Sequence, residues 1–189
     1  MEITFEEAQE KYRPEKITCL FIAEAPPAED SKRFFYFENV SKGDTLYLET
    51  MKSLFPSDFV ALNKKQITNK LRTEKKYFLA KFYSNGFYLD DASKMPMPHK
   101  PTQSQKRSII RPELPGLMKR LHPHIKLKTP IILIASVVHE ICYAPLKDLD
   151  LYILNDFSIP FPIGFQDEYK SGITVCLKKA GLYPSDKPK

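Results

Sequence analysis

KITCLFIA, residues 16–23, is the stretch on which the fold turns. It is a nearly continuous apolar run, rich in β-branched and aromatic residues, and Pro26-Pro27 follows shortly after it. A strand with one wet face alternates polar and apolar positions. One this uniformly apolar is expected to be covered on both faces, as in a parallel sheet. IILIA at 131–135 is the clearest second run of this kind, and Phe87-Tyr88-Leu89 and LYIL at 151–154 are two shorter ones. Helical patterns lie between them. Asp44 or Thr45 can cap a helix that runs DTLYLETMKSLF and stops at Pro56. A helix over Thr73–Ser84 carries Tyr77, Phe78, Phe82 and Tyr83 and ends at Asn85-Gly86. Short helices are expected at Gln103–Ile110 and Glu113–Leu121, one over Val137–Tyr143 capped by Ser136, and a last one at about Asp167–Ala180. Four strands separated by helices predict right-handed crossovers and an α/β fold. Ligands of such sheets bind at the carboxyl ends of the strands, here Glu24–Pro27, Asp90-Asp91, Ser136 and the loop 155–166.

The chain has 189 residues, 42% of them hydrophobic and 28% charged, which suits one domain over 1–189 with a frayed tail at about 184–189. No apolar run is long enough to span a bilayer, so no membrane contact is expected. The first residues, MEITFEEAQEKYRPEK, are too charged for a signal peptide. Three scattered cysteines, Cys19, Cys142 and Cys176, make neither a disulfide framework nor a metal site, which points to the cytoplasm. His122 and His124 flank Pro123, with His99 and His139 far away and no HxxxH or CxxC spacing, so no metal is expected. Without G-x-G-x-x-G, P-loop or G-x-S-x-G there is no expected cofactor, and nothing argues against a monomer.

Charge is distributed unevenly. Residues 1–30 hold eight acids against three bases, whereas 94–128 hold nine bases and one acid, Glu113. A second basic stretch, Lys64–Lys76, has six bases against Glu74. One-sided blocks attract polyanions, and DNA is the expected partner, although long solvated side chains on a plain surface would look the same.

AEAPPAEDSKRFFYF (23–37), directly after the first strand, resembles the first active-site motif of the uracil-DNA glycosylase superfamily, most of all its iron–sulfur branch. FLAKFYSNGFYLDDASKMPM (78–97) is similar to the helix, second strand and following loop of glycosylase-like proteins, and Val137–Leu146 and IPFPIGFQDEYKSGI (159–173) fall in the expected order. The resemblance covers most of 17–180. It implies a three-layer α/β/α sandwich around a four-stranded parallel sheet of order 2-1-3-4, and a DNA-repair hydrolase of the base-excision kind that cleaves the N-glycosidic bond of a damaged or deaminated base. The alternative is a non-catalytic member that binds nucleic acid or a nucleobase. A flavodoxin-like domain with another sheet order is a third reading.

Such a reaction passes through an oxocarbenium-like sugar, so it needs a stabilising carboxylate, a positioned water and a pocket for a base taken out of the stack. By resemblance Glu24 is the catalytic acid, or else a carboxylate capping the next loop. Ala25 stands where other branches carry an Asp, and Pro26 belongs to the same turn. Phe34 or Phe35 is the base-stacking aromatic, or core. Asp90 stands where uracil-specific members read the base with Asn; an ionised Asp only accepts and would favour an amino-bearing base, whereas a protonated one would admit uracil. The loop with Pro160 and Phe161 stands for a His-containing motif, with Ile159 at the His position, so the donor to the departing base is missing and Gln166 or Asn155 is left to substitute. Ile163 corresponds to the residue wedged into the duplex. Lys170, Lys106, Arg107 and Arg111 are the expected DNA contacts. The iron–sulfur ligands of the nearest branch are absent.

Overall fold

β1 (Cys19–Ala23) is the middle strand of a three-stranded parallel sheet in the computed structural model, which describes residues 3–40 and 42–183. The expected fraying of 184–189 lies outside those residues. β2 (Phe87–Asp91) and β3 (Ile131–Leu133) flank it, giving the order β2-β1-β3. Every residue of the three strands is buried, as uniformly apolar runs require. Register runs from Cys19 opposite Phe87 to Ala23 opposite Asp91, and Leu20 lies opposite Ile131.

The helices are α1 (Phe5–Glu10), α2 (Thr45–Leu54), α3 (Lys64–Thr73), α4 (Lys75–Ser84), α5 (Gln103–Ile110), α6 (Leu114–Leu121), α7 (Ser136–Lys147) and α8 (Gln166–Lys179). α2 packs on α3 and α8 while α4 packs on β2; α5 and α6 pack on α7, which lies against β3. Two of these helices go beyond the sequence expectations. α1 is closed by a capping box in which Thr4 and Glu7 bond each other's backbone N–H, and α3 by the same device between Asn63 and Gln66. α3 buries only Leu71, so it gives almost no apolar periodicity to read. Among the described residues no helix is long and apolar enough to cross a membrane.

The expected fourth strand, 151–154, is not formed as a strand. The chain does return beside β3 in the parallel sense, but among the described residues its backbone pairs there only at two isolated bridges, Ile153 with Ile131 and Ile159 with Ile134 just past the strand. Between these the side chain of Asn155 replaces the backbone. Its Oδ1 accepts from Leu133 N–H, and its Nδ2 donates to the carbonyls of Leu133 and Phe157, all at 3.0 Å. An amide side chain carries the same donor and acceptor as a peptide group, so Leu133 is satisfied without a continuous ladder.

The opposite edge is treated the same way. Tyr36 Oη accepts from Leu89 N–H at 2.8 Å and donates to Leu89 C=O at 3.0 Å, and Gln9 Nε2 donates to that carbonyl as well. Both rims of this short sheet therefore close through buried side chains, which leaves neither as a template for another strand.

Candidate functional site

A cleft of about 730 Å3 opens at the carboxyl ends of the strands. β1 delivers Glu24 and Ala25 to it, β2 delivers Asp91, and the β3–α7 turn delivers Ala135 and Ser136. Phe34 and Phe35 form one wall, Lys106 enters from α5, and Pro160, Phe161 and Ile163 form the opposite lip. Segments far apart in sequence meet here because parallel crossovers bring every strand back to the same end of the sheet.

Glu24 is 8% exposed, and Lys106 Nζ donates to both of its carboxylate oxygens at 2.7 and 2.9 Å. The reach of Lys106 follows from local sequence: Thr102 and Gln105 form a capping box that fixes the start of α5, and the Lys106 amide bonds back to Thr102 C=O. Its ammonium also stands 6.0 Å from the centre of the Phe161 ring. Lys106, expected on DNA, is thus spent inside the cleft. Truncating either partner of so enclosed a pair strands the other charge.

Asp90 was expected to read the base, and the structure corrects this. Successive residues of a strand point to opposite faces, and Asp90 points away from the cleft. Its carboxylate accepts from Gln9 at 3.0 Å and Lys94 at 2.8 Å, with Arg120 at 3.4 Å. Burial alone would raise its pKa, but Lys94 and Arg120 hold the carboxyl below its usual range. Asp91 takes the cleft-facing position instead. It is 3% exposed, and its Oδ2 is buried with no hydrogen-bond partner among the described residues. Burial first, then repulsion from Asp90, pushes the Asp91 carboxyl up to about 7. Nothing in the sequence distinguishes the two acids, because β2 is buried on both faces and has no polar phase to read.

The aromatics divide more finely than expected. Phe35 packs on Tyr47 and Phe82, and Phe34 on Phe5 and Phe37; both are buried and each presents part of its surface to the cleft. Tyr36 between them is core. Pro26 is buried under the turn and accepts from Met97 N–H, so it supports the wall rather than lining it.

The loop before α8 keeps two of its expected members at the lip, Pro160 and Phe161, and exposes Ile163 by 66% next to Gly164, whose φ of +81° suits a residue without Cβ. Ile159, at the expected His position, is buried against Gly172 of α8 and pairs with Ile134, the residue after β3. Neither substitute reaches the cleft. Gln166 opens α8 on the exposed surface, and Asn155 is consumed by the β3 edge. Arg107 and Arg111 both turn to Glu140 of α7, at 2.8 and 3.7 Å, whereas Lys170 is exposed on α8.

Two helix-start residues, Asp44 and Ser136, also line the cleft, and of these Asp44 had been read only as a cap. Asp44 makes no capping bond; Arg72 holds its Oδ1 at 2.7 Å, and its Oδ2 is buried and unpartnered. Ser136 bonds the hydroxyl of Ser158 at 2.9 Å. Ala135, just before α7, has φ 80°, ψ 138°, a region that disfavours a residue with a Cβ. Among the described residues no three His, Cys, Asp or Glu side chains group to hold a metal ion. No protein-family model, curated protein or solved structure matches this chain.

Proposed function

We propose that this chain is a DNA glycosylase-like protein that takes a flipped nucleobase into the 730 Å3 cleft and hydrolyses its N-glycosidic bond. One observation carries the reading. Eight residues singled out from the sequence (Glu24, Ala25, Phe34, Phe35, Lys106, Pro160, Phe161 and Ile163) converge on a single cleft at the carboxyl end of a parallel sheet. On this reading the fold is a three-layer α/β/α sandwich, with 153–159 in the place of a fourth strand and the order 2-1-3-4, as in the uracil-DNA glycosylase superfamily.

The chemistry assigns distinct roles. Glu24, paired with Lys106 at 2.7 and 2.9 Å, supports positive charge developing on the sugar and orients water. The phenyl faces and Pro160 enclose an unstacked base, replacing the stacking it loses in leaving the duplex. The first turn of α7 brings backbone N–H groups and the Ser136 hydroxyl towards the departing base, a donor set for the charge that a His would otherwise meet. Exposed Lys100, Lys119, Lys126 and Lys128 remain for phosphates.

A panel of oligonucleotides, each with one uracil, hypoxanthine, xanthine or other damaged base, tests the proposal. Abasic product from at least one is expected, with a loss on the order of a hundredfold or more for Glu24→Gln, comparable with removing a transition-state contact. If no substrate is processed and Glu24→Gln alters no trace activity, the enzymatic reading is wrong. A second reading, base binding without cleavage, is favoured by the double engagement of Glu24 by Lys106, which leaves neither carboxylate oxygen without a cation. Salt-sensitive DNA binding with no abasic product would select it.

A further inference from the structure

The acids around the cleft are answered, with one exception. Glu24 holds Lys106, Asp90 holds Lys94, Arg120 and Gln9, and Asp44 holds Arg72 through one oxygen. Asp91 alone reaches the cleft from the sheet with a buried oxygen that accepts nothing among the described residues, while Arg120 engages only its backbone carbonyl, at 2.8 Å. A carboxylate cannot be kept ionised cheaply in that position. It is shielded from water, it follows the charged Asp90, and Glu24 lies on the neighbouring strand end. Lys94 and Arg120 oppose the effect, but they stand on the Asp90 side. The upward shift to about 7 agrees with this placement.

We infer that Asp91, in its acid form, selects the occupant of the cleft by a two-point hydrogen bond to a heterocycle that carries a donor beside an acceptor, such as a lactam edge (ring N–H next to C=O) or an amidine edge. The inference deepens the base-pocket reading of this cleft and rests on it. A neutral carboxyl offers one O–H donor and one carbonyl acceptor side by side. It therefore meets a lactam head-on, the O–H bonding the ring carbonyl and the C=O accepting from the ring N–H. The ionised form has only acceptors and leaves the lactam carbonyl facing a negative oxygen. Buried polar groups left unpaired in this way discriminate strongly, because no water reaches them. Asparagine carries the same donor–acceptor pair at any pH, and alanine carries neither.

Hypoxanthine is the probe, used as its 9-methyl derivative so that the lactam carries the one remaining ring N–H, with the 1,9-dimethyl compound as the control in which that N–H is blocked. Binding to the full chain is followed by NMR titration or calorimetry across the neutral range. Hypoxanthine should bind the native chain about tenfold more weakly at about pH 8 than at about pH 6, following the protonated fraction of a group that titrates near 7. Asp91→Asn should bind at least as well as the native chain at the lower pH and lose the pH dependence. Asp91→Ala should bind weakly throughout, and the 1,9-dimethyl control weakly to all three chains. Native binding indifferent to pH, Asp91→Ala equal to native, Asp91→Asn without binding despite a cooperative unfolding transition, or no saturable hypoxanthine binding at the lower pH would each overturn the inference. Free-base binding requires no bond cleavage. A chain that shows this pattern yet cleaves nothing refutes the hydrolytic reading alone, and one that cleaves DNA yet ignores Asp91 refutes the Asp91 assignment alone.

Discussion

Lys75→Met should make the protein more stable, and the gain should disappear as the pH is raised. Lys75 is the first residue of α4 and is 1% exposed. Its Nζ lies 4.4 Å from the centre of the Tyr47 ring and 3.4 Å from the Phe34 carbonyl, behind the aromatic wall of the cleft. Burial pushes the ammonium down to about 7; Asp44 pulls it up and Arg72 lowers it further. Between about 7 and the ordinary 10.5 the unfolded chain binds a proton that the folded chain does not. Stability due to this group therefore rises with pH across that window, and below it the buried ammonium carries its full penalty. At about 1.4 kcal/mol per pH unit the gap amounts to about 5 kcal/mol as an upper bound. The cation–π contact with Tyr47 returns roughly 1–2 kcal/mol of it, leaving a net cost of about 3 kcal/mol. Methionine has nearly the same length and no charge to desolvate. Urea unfolding of both chains from about pH 6 to about pH 10 measures the difference, with the other titrating groups cancelling between them. The expected result is a variant more stable by about 3 kcal/mol at the low end, converging on the native chain at the high end. A variant less stable at about pH 6 would refute the reasoning, since the contacts of the ion would then outweigh its burial. A difference that stays flat across the range would refute it equally.

Two further substitutions test how the strand ends are held. Asn155→Ala removes three hydrogen bonds and leaves both backbone groups of Leu133 unpaired at a buried edge, so a loss of about 3 kcal/mol in urea unfolding is expected, with faster amide exchange at Leu133. A loss under about 1 kcal/mol would mean that water or a shifted backbone replaces the amide. Ala135→Gly relieves a positive φ at the turn into α7 and should raise stability by about 1 kcal/mol after the entropy cost of glycine; a destabilised variant would show that the turn is not strained.

The extent to which the site was legible differs from group to group. Glu24 was legible because it is the first polar residue after an apolar strand, and strand ends are where α/β sheets bind ligands. The lip at Pro160-Phe161 was marked by the resemblance of its loop to a His-containing motif. Asp90-Asp91 was legible as a strand-end pair, but not which of the two enters the cleft, since the parity of a strand buried on both faces is invisible in its residue types. The basic region before β3 was legible as charge but not as surface. Its Lys94, Lys106, Arg107 and Arg120 meet Asp90, Glu24 and Glu140, carboxylates contributed by β2, by the end of β1 and by α7.

Local patterns in the sequence were enough to determine the three buried strands, the bounds of α5 and α8 to within a residue or so, and the α/β class, because apolar runs, caps and glycine or proline stops act over only a few residues. Tertiary structure alone decided which acid enters the cleft, which cations are consumed by it, and that a buried asparagine stands where a fourth strand was expected. Those outcomes depend on which distant groups meet out of water, where an unpaired donor, acceptor or charge costs more than any local preference returns.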